Sequence, residues 1–303
     1  MTFTDRLTRQ LLILGRRVGP HVGIGTQRAL VRIGTELAAR ANGRHLRTFS
    51  DNLAVVTGRP TDEALIRRGV ASYLRNWLEV MAMPGWSSEQ IVSRVRVMGE
   101  DQLRAAVATR GAVVALPHSG NWDLAGAWAC STGLPVTSVA EQLVAAEYAD
   151  FLAFRRALGM EIHGHREPGL VRTLVDAVRR GRVVCLMADR DLTGGAGVPA
   201  TFAGQPVTAP GGPAMVARLS GAALFPGVCH YTGRPGTGGM VITLGEEVAH
   251  QPGPDGVARM TQQVLDHFTT RIARHPEDWH MMQPFFARPV SGPHREVPGG
   301  SGR

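Results

Sequence analysis

Short strand-like runs alternate with segments of helical periodicity from about residue 100 onward, and this alternation constrains the fold more than any other feature. Residues 113–116, 136–140, 161–163 and 183–188 read as strands. Residues 101–110, 145–158 and 170–180 read as helices among them. Strands separated by helices cannot pair as hairpins and return instead through crossovers, which makes them parallel. A further helix over 210–219 is entered through a Pro-Gly-Gly turn, and a long helix follows at 255–274. Two later strands, 223–231 and 240–247, flank a Gly/Pro-rich hairpin loop at 232–239. The expected fold is α/β, with a mostly parallel central sheet flanked by helices and a helical amphipathic N-terminal extension.

The first part of the chain has another character. Residues 1–50 are helical in pattern, with breaks at Gly19-Pro20 and Asn42-Gly43. They hold nine arginines against Asp5 and Glu36, a net of +7 out of the +8 of the whole chain. Phe3, Leu7, Leu11, Leu14 and Val18 recur at helical spacing, broadened by Leu12 and Ile13, and Arg6, Arg9, Arg16 and Arg17 surround them. An anionic surface is the expected partner. Two readings of the stripe stand: a helix lying in a lipid interface, or a helix packed on the core with a solvated basic face. Nucleic acid is disfavoured, because aromatics are only 6% and no recognition motif appears. A helix over 61–82, with Leu65, Val70, Tyr73, Leu74, Trp77 and Leu78 as its apolar set, leads into the α/β part. The organisation expected is a membrane-association segment at 1–50, one α/β domain at 51–288 and a disordered tail at 289–303.

Composition removes several chemistries. All 33 basic residues are arginine, which excludes P-loop phosphate binding, pyridoxal Schiff bases and a lysine nucleophile. Cys130, Cys185 and Cys229 show no paired spacing and read as reduced, in a cytosolic setting. No apolar stretch reaches membrane-spanning length, and no signal-peptide pattern opens the chain. No metal site is expected: His163 and His165 lack a third ligand nearby and read as a loop pair.

The chemistry concentrates at residues 111–128. An apolar run ends at Pro117, a polar turn follows at 118–121, and a helix starts at Trp122. His118 and Asp123 therefore flank a strand-to-helix turn at the carboxyl end of a buried strand, where open α/β sheets bind their ligands. An imidazole paired with a carboxylate is a general base. The same spacing also fits a helix cap at Asp123 beside a solvated His118. Asp189 and Asp191 flank Arg190 after another buried strand, a pattern that fits a site as well as a cap or surface ion pair. Arg155 lies among core-like neighbours, although most arginines in such helices reach solvent. Trp128 and Trp279 read as core aromatics. No G-x-S-x-G elbow is present, so an acyl-enzyme on serine is not expected.

Four segments together resemble one family. LPHSGNWDLAGAW (116–128) resembles the H-x4-D/E motif of lysophospholipid acyltransferase-like enzymes, most closely the branch containing the lipid A late acyltransferases. SVAEQL (138–143) with FLAFRRALGMEI (151–162), the stretch 187–218 and HPEDWHMMQPFF (275–286) are similar to its later blocks, in the same order. Within the branch the likeness is strongest to actinobacterial phosphatidylinositol mannoside acyltransferases. The chain departs at Phe202-Ala203-Gly204-Gln205, where the family carries two aromatics and an acid. The resemblance implies acyl transfer from acyl-CoA, with no other cofactor, to a hydroxyl of a membrane glycolipid at the cytoplasmic face of the cell membrane. It implies His118 as base with Asp123 as its partner, Asp189 at the site touching His118, and Glu141, Arg155 and Arg190 as substrate contacts. Another lipid acceptor, or a non-catalytic membrane-binding scaffold, would keep the same fold.

Overall fold

A computed structural model describes residues 18–41, 43–142, 145–192, 195–234 and 238–286. Most of the basic apolar stripe, residues 1–17, and the tail at 289–303 lie outside the described residues. After a 3-10 turn at Gly19–His21 come α1 (Ile24–Ala41), α2 (Arg44–Thr57), α3 (Glu63–Ala82) and the short α4 (Ser88–Val92). There follow β1 (Val95–Met98), α5 (Glu100–Thr109), β2 (Ala112–Leu116), α6 (Trp122–Ser131) and β3 (Val136–Ala140). Next are α7 (Ala145–Ala157), β4 (Glu161–Gly164), α8 (Leu170–Arg179) and β5 (Val183–Met187). The hairpin β6 (Val198–Phe202) and β7 (Gln205–Ala209), then α9 (Gly212–Ser220), β8 (Ala223–Tyr231), β9 (Met240–Leu244) and α10 (Gly256–Ile272) complete the order.

Seven strands form one sheet in the order β1-β9-β8-β2-β5-β3-β4. Every neighbouring pair is parallel except β8 with β9, which are joined by the expected hairpin. Alternate residues of β2 feed two cores. Val113 and Ala115 face one containing Leu174, Val184, Phe268 and Trp279. Val114 and Leu116 face another containing Leu124, Trp128, Phe154 and Ile162. That period of two, with both faces covered, explains why β2 reads as a continuous apolar run.

Three features differ from expectation. β1 is an edge strand of four residues whose exposed positions include Arg96, too short and too polar to signal itself. The departure at 202–205 is the hairpin turn between β6 and β7, with Ala203 and Gly204 at φ 48° and 74°. Paired left-handed residues are what a two-residue hairpin turn demands. Phe202 there is fully buried and stacks on Trp279. The third difference is the facing of α3. Ser72, Arg75, Asn76 and Glu79 are buried, whereas Trp77 is exposed and Leu74 packs on Gly34 of α1. Leu65 and Val70 of the apolar set are buried as well, so α3 turns both apolar and polar residues into the protein, and Leu74 serves α1.

The break expected at residue 50 falls inside α2, whose Phe49 and Leu53 are fully buried in the core shared with β2. Among the described residues no helix is long and apolar enough to cross a membrane. Phe268 of α10 is fully buried beneath the sheet. Phe268→Ala is expected to lower the unfolding free energy by about 3–5 kcal/mol through lost burial and a residual cavity. Urea denaturation measures this, and a loss below about 1 kcal/mol would show that the layer repacks freely.

Candidate active site

The site begins with strand register. β2 and β5 are parallel neighbours in which Leu116 sits opposite Met187. The ladder is extended by the Ala188 N–H, which donates to the Leu116 carbonyl at 2.8 Å. Two residues past Leu116 is His118, and two residues past Met187 is Asp189. Equal overrun of paired strands places them side by side at the carboxyl edge of the sheet. His118 Nδ1 and Asp189 Oδ1 are 2.6 Å apart. Asp189 Oδ2 accepts from the His118 N–H at 2.8 Å and from Trp279 Nε1 at 3.0 Å.

Asp189 is 1% exposed. Burial raises its pKa, but the His118 charge and the hydrogen bonds from the His118 ring, Trp279 and the His118 N–H outweigh burial and hold it below the usual value. An ionised carboxylate only accepts, so Nδ1 carries a proton, and in the neutral ring Nε2 is the nitrogen with the lone pair. The imidazole is partly exposed, with 26% of its side-chain surface accessible, so Nε2 can meet a reactant.

The pairing expected between His118 and Asp123 is corrected here. Asp123 lies in the first turn of α6 and is buried, and its Oδ1 accepts from Arg155 Nε at 2.5 Å. The helix carries Asp123 away from the strand edge, while the β5 register delivers Asp189 to it. The expectation that Asp189 touches His118 holds. Arg155 does not reach solvent: it is 7% exposed and clasps α7 to α6. The other two expected contacts meet each other, since Arg190 forms an ion pair with Glu141 and donates to Gln283 Oε1 at 2.6 Å. This bracket joins the ends of β3 and β5 to the segment after α10.

The turn itself is held at every residue. The His118 carbonyl accepts from the His280 N–H, the Gly120 N–H donates to the Asp278 carbonyl, and Ser119 Oγ accepts from the Cys229 N–H. Gly120 has φ 58°, and a Cβ there would lie 2.9 Å from the Cys229 Cβ, so glycine is required on two counts. Asn121 caps α6 by accepting from the Leu124 N–H. Trp122 packs edge-on against both His118 and His280.

Sequence reading missed the support beneath this turn. Ser72 Oγ donates to Asp278 Oδ1 at 2.6 Å and lies 2.9 Å from His280 Nε2. Burial pushes the Asp278 carboxyl up to about 6 and, with His118 nearby, the His280 ring down to about 3. Neutral His280 therefore adds no second charge behind His118. Trp279 is a core aromatic as expected and a donor to Asp189 as well. The polar residues spaced along the helix of residues 61–82 were the available signal. His163, read as half of a loop pair, lies on β4 and bonds Glu161 and Glu167.

An apolar cavity adjoins the pair, between α6 and the sheet. Leu116, Trp122, Asp123, Arg155 and Met187 line it at the His118 end, and Val136 and Val183 line it at the opposite ends of their strands. The Asp123–Arg155 pair is thus the charged part of a mostly apolar wall. Arg155→Met is expected to cost about 3–5 kcal/mol, because it leaves the Asp123 carboxylate buried without its cation. Thermal and urea unfolding test this; stability within about 0.5 kcal/mol of wild type would make Arg155 a surface residue in solution.

Comparison with known proteins follows the same direction. Residues 9–288 match the family described as bacterial lipid A biosynthesis acyltransferase. A phosphatidylinositol mannoside acyltransferase of Mycolicibacterium smegmatis is 39% identical over 271 residues, covering 86% of this chain and 86% of the relative. One of Mycobacterium tuberculosis is 40% identical over 267 residues, covering 84% and 82%. With likeness running through nearly all of its length, the chain belongs to the bacterial lipid A biosynthesis acyltransferase family.

Proposed function

We propose that this enzyme transfers a fatty acyl chain from acyl-CoA to a hydroxyl of a membrane glycolipid, a mannose of a phosphatidylinositol mannoside. The observation that carries the reading is the His118–Asp189 pair, two residues beyond Leu116 and Met187, which line the apolar cavity. The acyl chain takes the cavity, which leaves the thioester carbonyl beside His118. Nε2 removes the acceptor hydroxyl proton as the oxygen attacks that carbonyl, and Asp189 stabilises the imidazolium that forms. The tetrahedral oxyanion collapses, the carbon–sulfur bond breaks, and the thiol leaves with a proton returned from His118. The Gly120 and Asn121 amides are already committed to the Asp278 carbonyl and Met240 Sδ. The Leu124 N–H is likewise taken by Asn121, so the Trp122 and Asp123 N–H groups, with the positive end of the helix dipole, serve the oxyanion. The mannoside acceptor is supported by the relatives, which are phosphatidylinositol mannoside acyltransferases, and an apolar space near the transfer site suits a lipid substrate.

His118→Ala is expected to lower turnover by about 10²–10⁴-fold, and Asp189→Asn to lose nearly as much, because the amide cannot stabilise an imidazolium. Acyl-CoA consumption in the presence of phosphatidylinositol mannosides, with mass spectrometry of the lipid product, reads both effects. Wild-type turnover by purified, folded His118→Ala would remove the assignment. Acylation of a lysophospholipid or lipid A-like glycolipid instead would replace the acceptor and keep the chemistry.

The enzyme works at the cytoplasmic face of the cell membrane as a peripheral protein, and α1 is its described contact. Leu30, Ile33 and Leu37 project from one side of α1 at 47%, 52% and 61% exposure, with Arg28, Arg32 and Arg40 on the same helix also exposed. Apolar side chains framed by arginines suit an anionic lipid surface. The triple variant Leu30→Glu, Ile33→Glu, Leu37→Glu is expected to bind phosphatidylinositol-containing vesicles at least about tenfold more weakly, since each Leu or Ile buried contributes ~1.5–3 kcal/mol. Wild-type binding should also weaken as salt rises. Co-sedimentation insensitive to both changes would place the membrane contact elsewhere.

A further inference from the structure

The inward polar stripe of α3 calls for an account. Arg75 and Glu79 are 4% and 6% exposed, and their side chains meet at 2.7 Å. A buried ion pair is poor economy for stability alone, because well-packed apolar residues of the same volume often do as well or better. What the pair does supply is direction. Glu79 Oε1 is held by Arg75 Nε, and Glu79 Oε2 accepts from Asn121 Nδ2 at 3.1 Å. The Asn121 amide is then committed at both ends, since its Oδ1 accepts from the Leu124 N–H at 2.9 Å. Asn121 is fully buried and closes the turn that His118 opens.

Arg75 is itself fixed from the far side. Its guanidinium lies 3.9 Å over the Tyr231 ring and donates to the Gly238 and Gly239 carbonyls at 3.1 and 3.2 Å. The chain of contacts runs from the loop between β8 and β9, through Arg75 and Glu79, to Asn121. It ends where the turn becomes α6. The other residues of the turn are held by β5, β8 and the segment after α10; the Asn121 side chain is held from α3, while its N–H meets Met240 Sδ of β9.

We propose that Glu79 is a positioning residue for acyl transfer: anchored by Arg75, its carboxylate fixes Asn121 and so sets the placement of His118 relative to the first turn of α6. The inference rests on the assignment of His118 as base. The base and the N–H groups that receive the oxyanion lie on opposite sides of the Asn121 anchor, so loosening it changes their spacing without removing either.

The test compares Glu79→Gln, Asn121→Ser and the double variant. Serine keeps the helix cap but cannot reach Glu79 with an amide. Turnover is measured per folded molecule, alongside melting temperature and KM for acyl-CoA. Each single variant is expected to lower kcat by ~10–100-fold, the scale of a small misplacement of reacting groups, with KM changed less than about twofold. The double variant should fall no further than the weaker single, because both cut one connection. Loss confined to melting temperature, or additive losses in kcat, would overturn the proposal. Proton NMR of the low-field His118 Nδ1–H, identified by its absence in His118→Ala, gives a readout that does not need turnover. Its resonance should shift in Asn121→Ser and Glu79→Gln. An unmoved resonance in both overturns the positioning role even where wild type is active. A wild-type protein that transfers no acyl group counts against the function, and the resonance then decides the positioning on its own. Should Glu79→Gln fail to fold, Asn121→Ser alone decides both readouts.

Discussion

The contact on which the site depends is the parallel pairing of β2 with β5. Backbone hydrogen bonds between these strands set the register, and the register alone decides which carboxylate meets His118. Shifting β5 by one residue would turn Asp189 to the other face of the sheet. The pairing is secured by strands whose residues are buried on both sides, so no slipped register preserves both cores. A reactive group at such a strand end inherits the rigidity of the sheet centre. Asp189 adds to this by gripping the His118 backbone N–H as well as its ring, which fixes ring and chain together.

Around that contact the protein places an unusual amount of charge out of water. Arg75 with Glu79 and Arg155 with Asp123 are buried ion pairs, and Asp189 is buried against His118. Each charge has a partner within hydrogen-bond distance, which is the condition for tolerating it. Both buried cations are arginine, as every basic residue of the chain is. The planar guanidinium suits this use, since Arg75 serves a carboxylate, backbone carbonyls and an aromatic face at once. The arrangement leaves the apolar cavity with charged groups only at the end nearest His118.

The segment after α10 acts as a lid on the carboxyl edge of the sheet. Asp278, Trp279 and His280 contribute to one another's support and to the turn: Asp278 through its carbonyl and carboxylate, Trp279 through Asp189, and His280 through the His118 carbonyl. Stacking of Trp279 on Phe202 ties the same segment to the β6–β7 hairpin. The family resemblance of 275–286, which looked like a closing motif in sequence, has a physical meaning as the element that completes the hydrogen bonding of the turn.

The sequence by itself determined the α/β alternation, the mostly parallel sheet and the importance of the turn at 118–121. These follow from local causes: apolar runs of strand length, helical periodicity, and a Gly-containing turn after a buried strand. It also pointed to Asp189 through the family pattern. Tertiary structure decided which acid serves His118, because Asp123 and Asp189 are equally acidic in a string of letters and only strand register distinguishes them. It decided that Arg155 is buried against Asp123, since the fate of an arginine on a helix depends on what packs beside it. It turned Ser72, Arg75, Asn76 and Glu79 of α3 inward beside the buried Leu65 and Val70, because the partners of those polar groups lie on segments far away in the sequence. Ser72 meets Asp278, Arg75 meets the Gly238 and Gly239 carbonyls, and Glu79 meets Asn121, contacts that no local pattern in residues 61–82 can show.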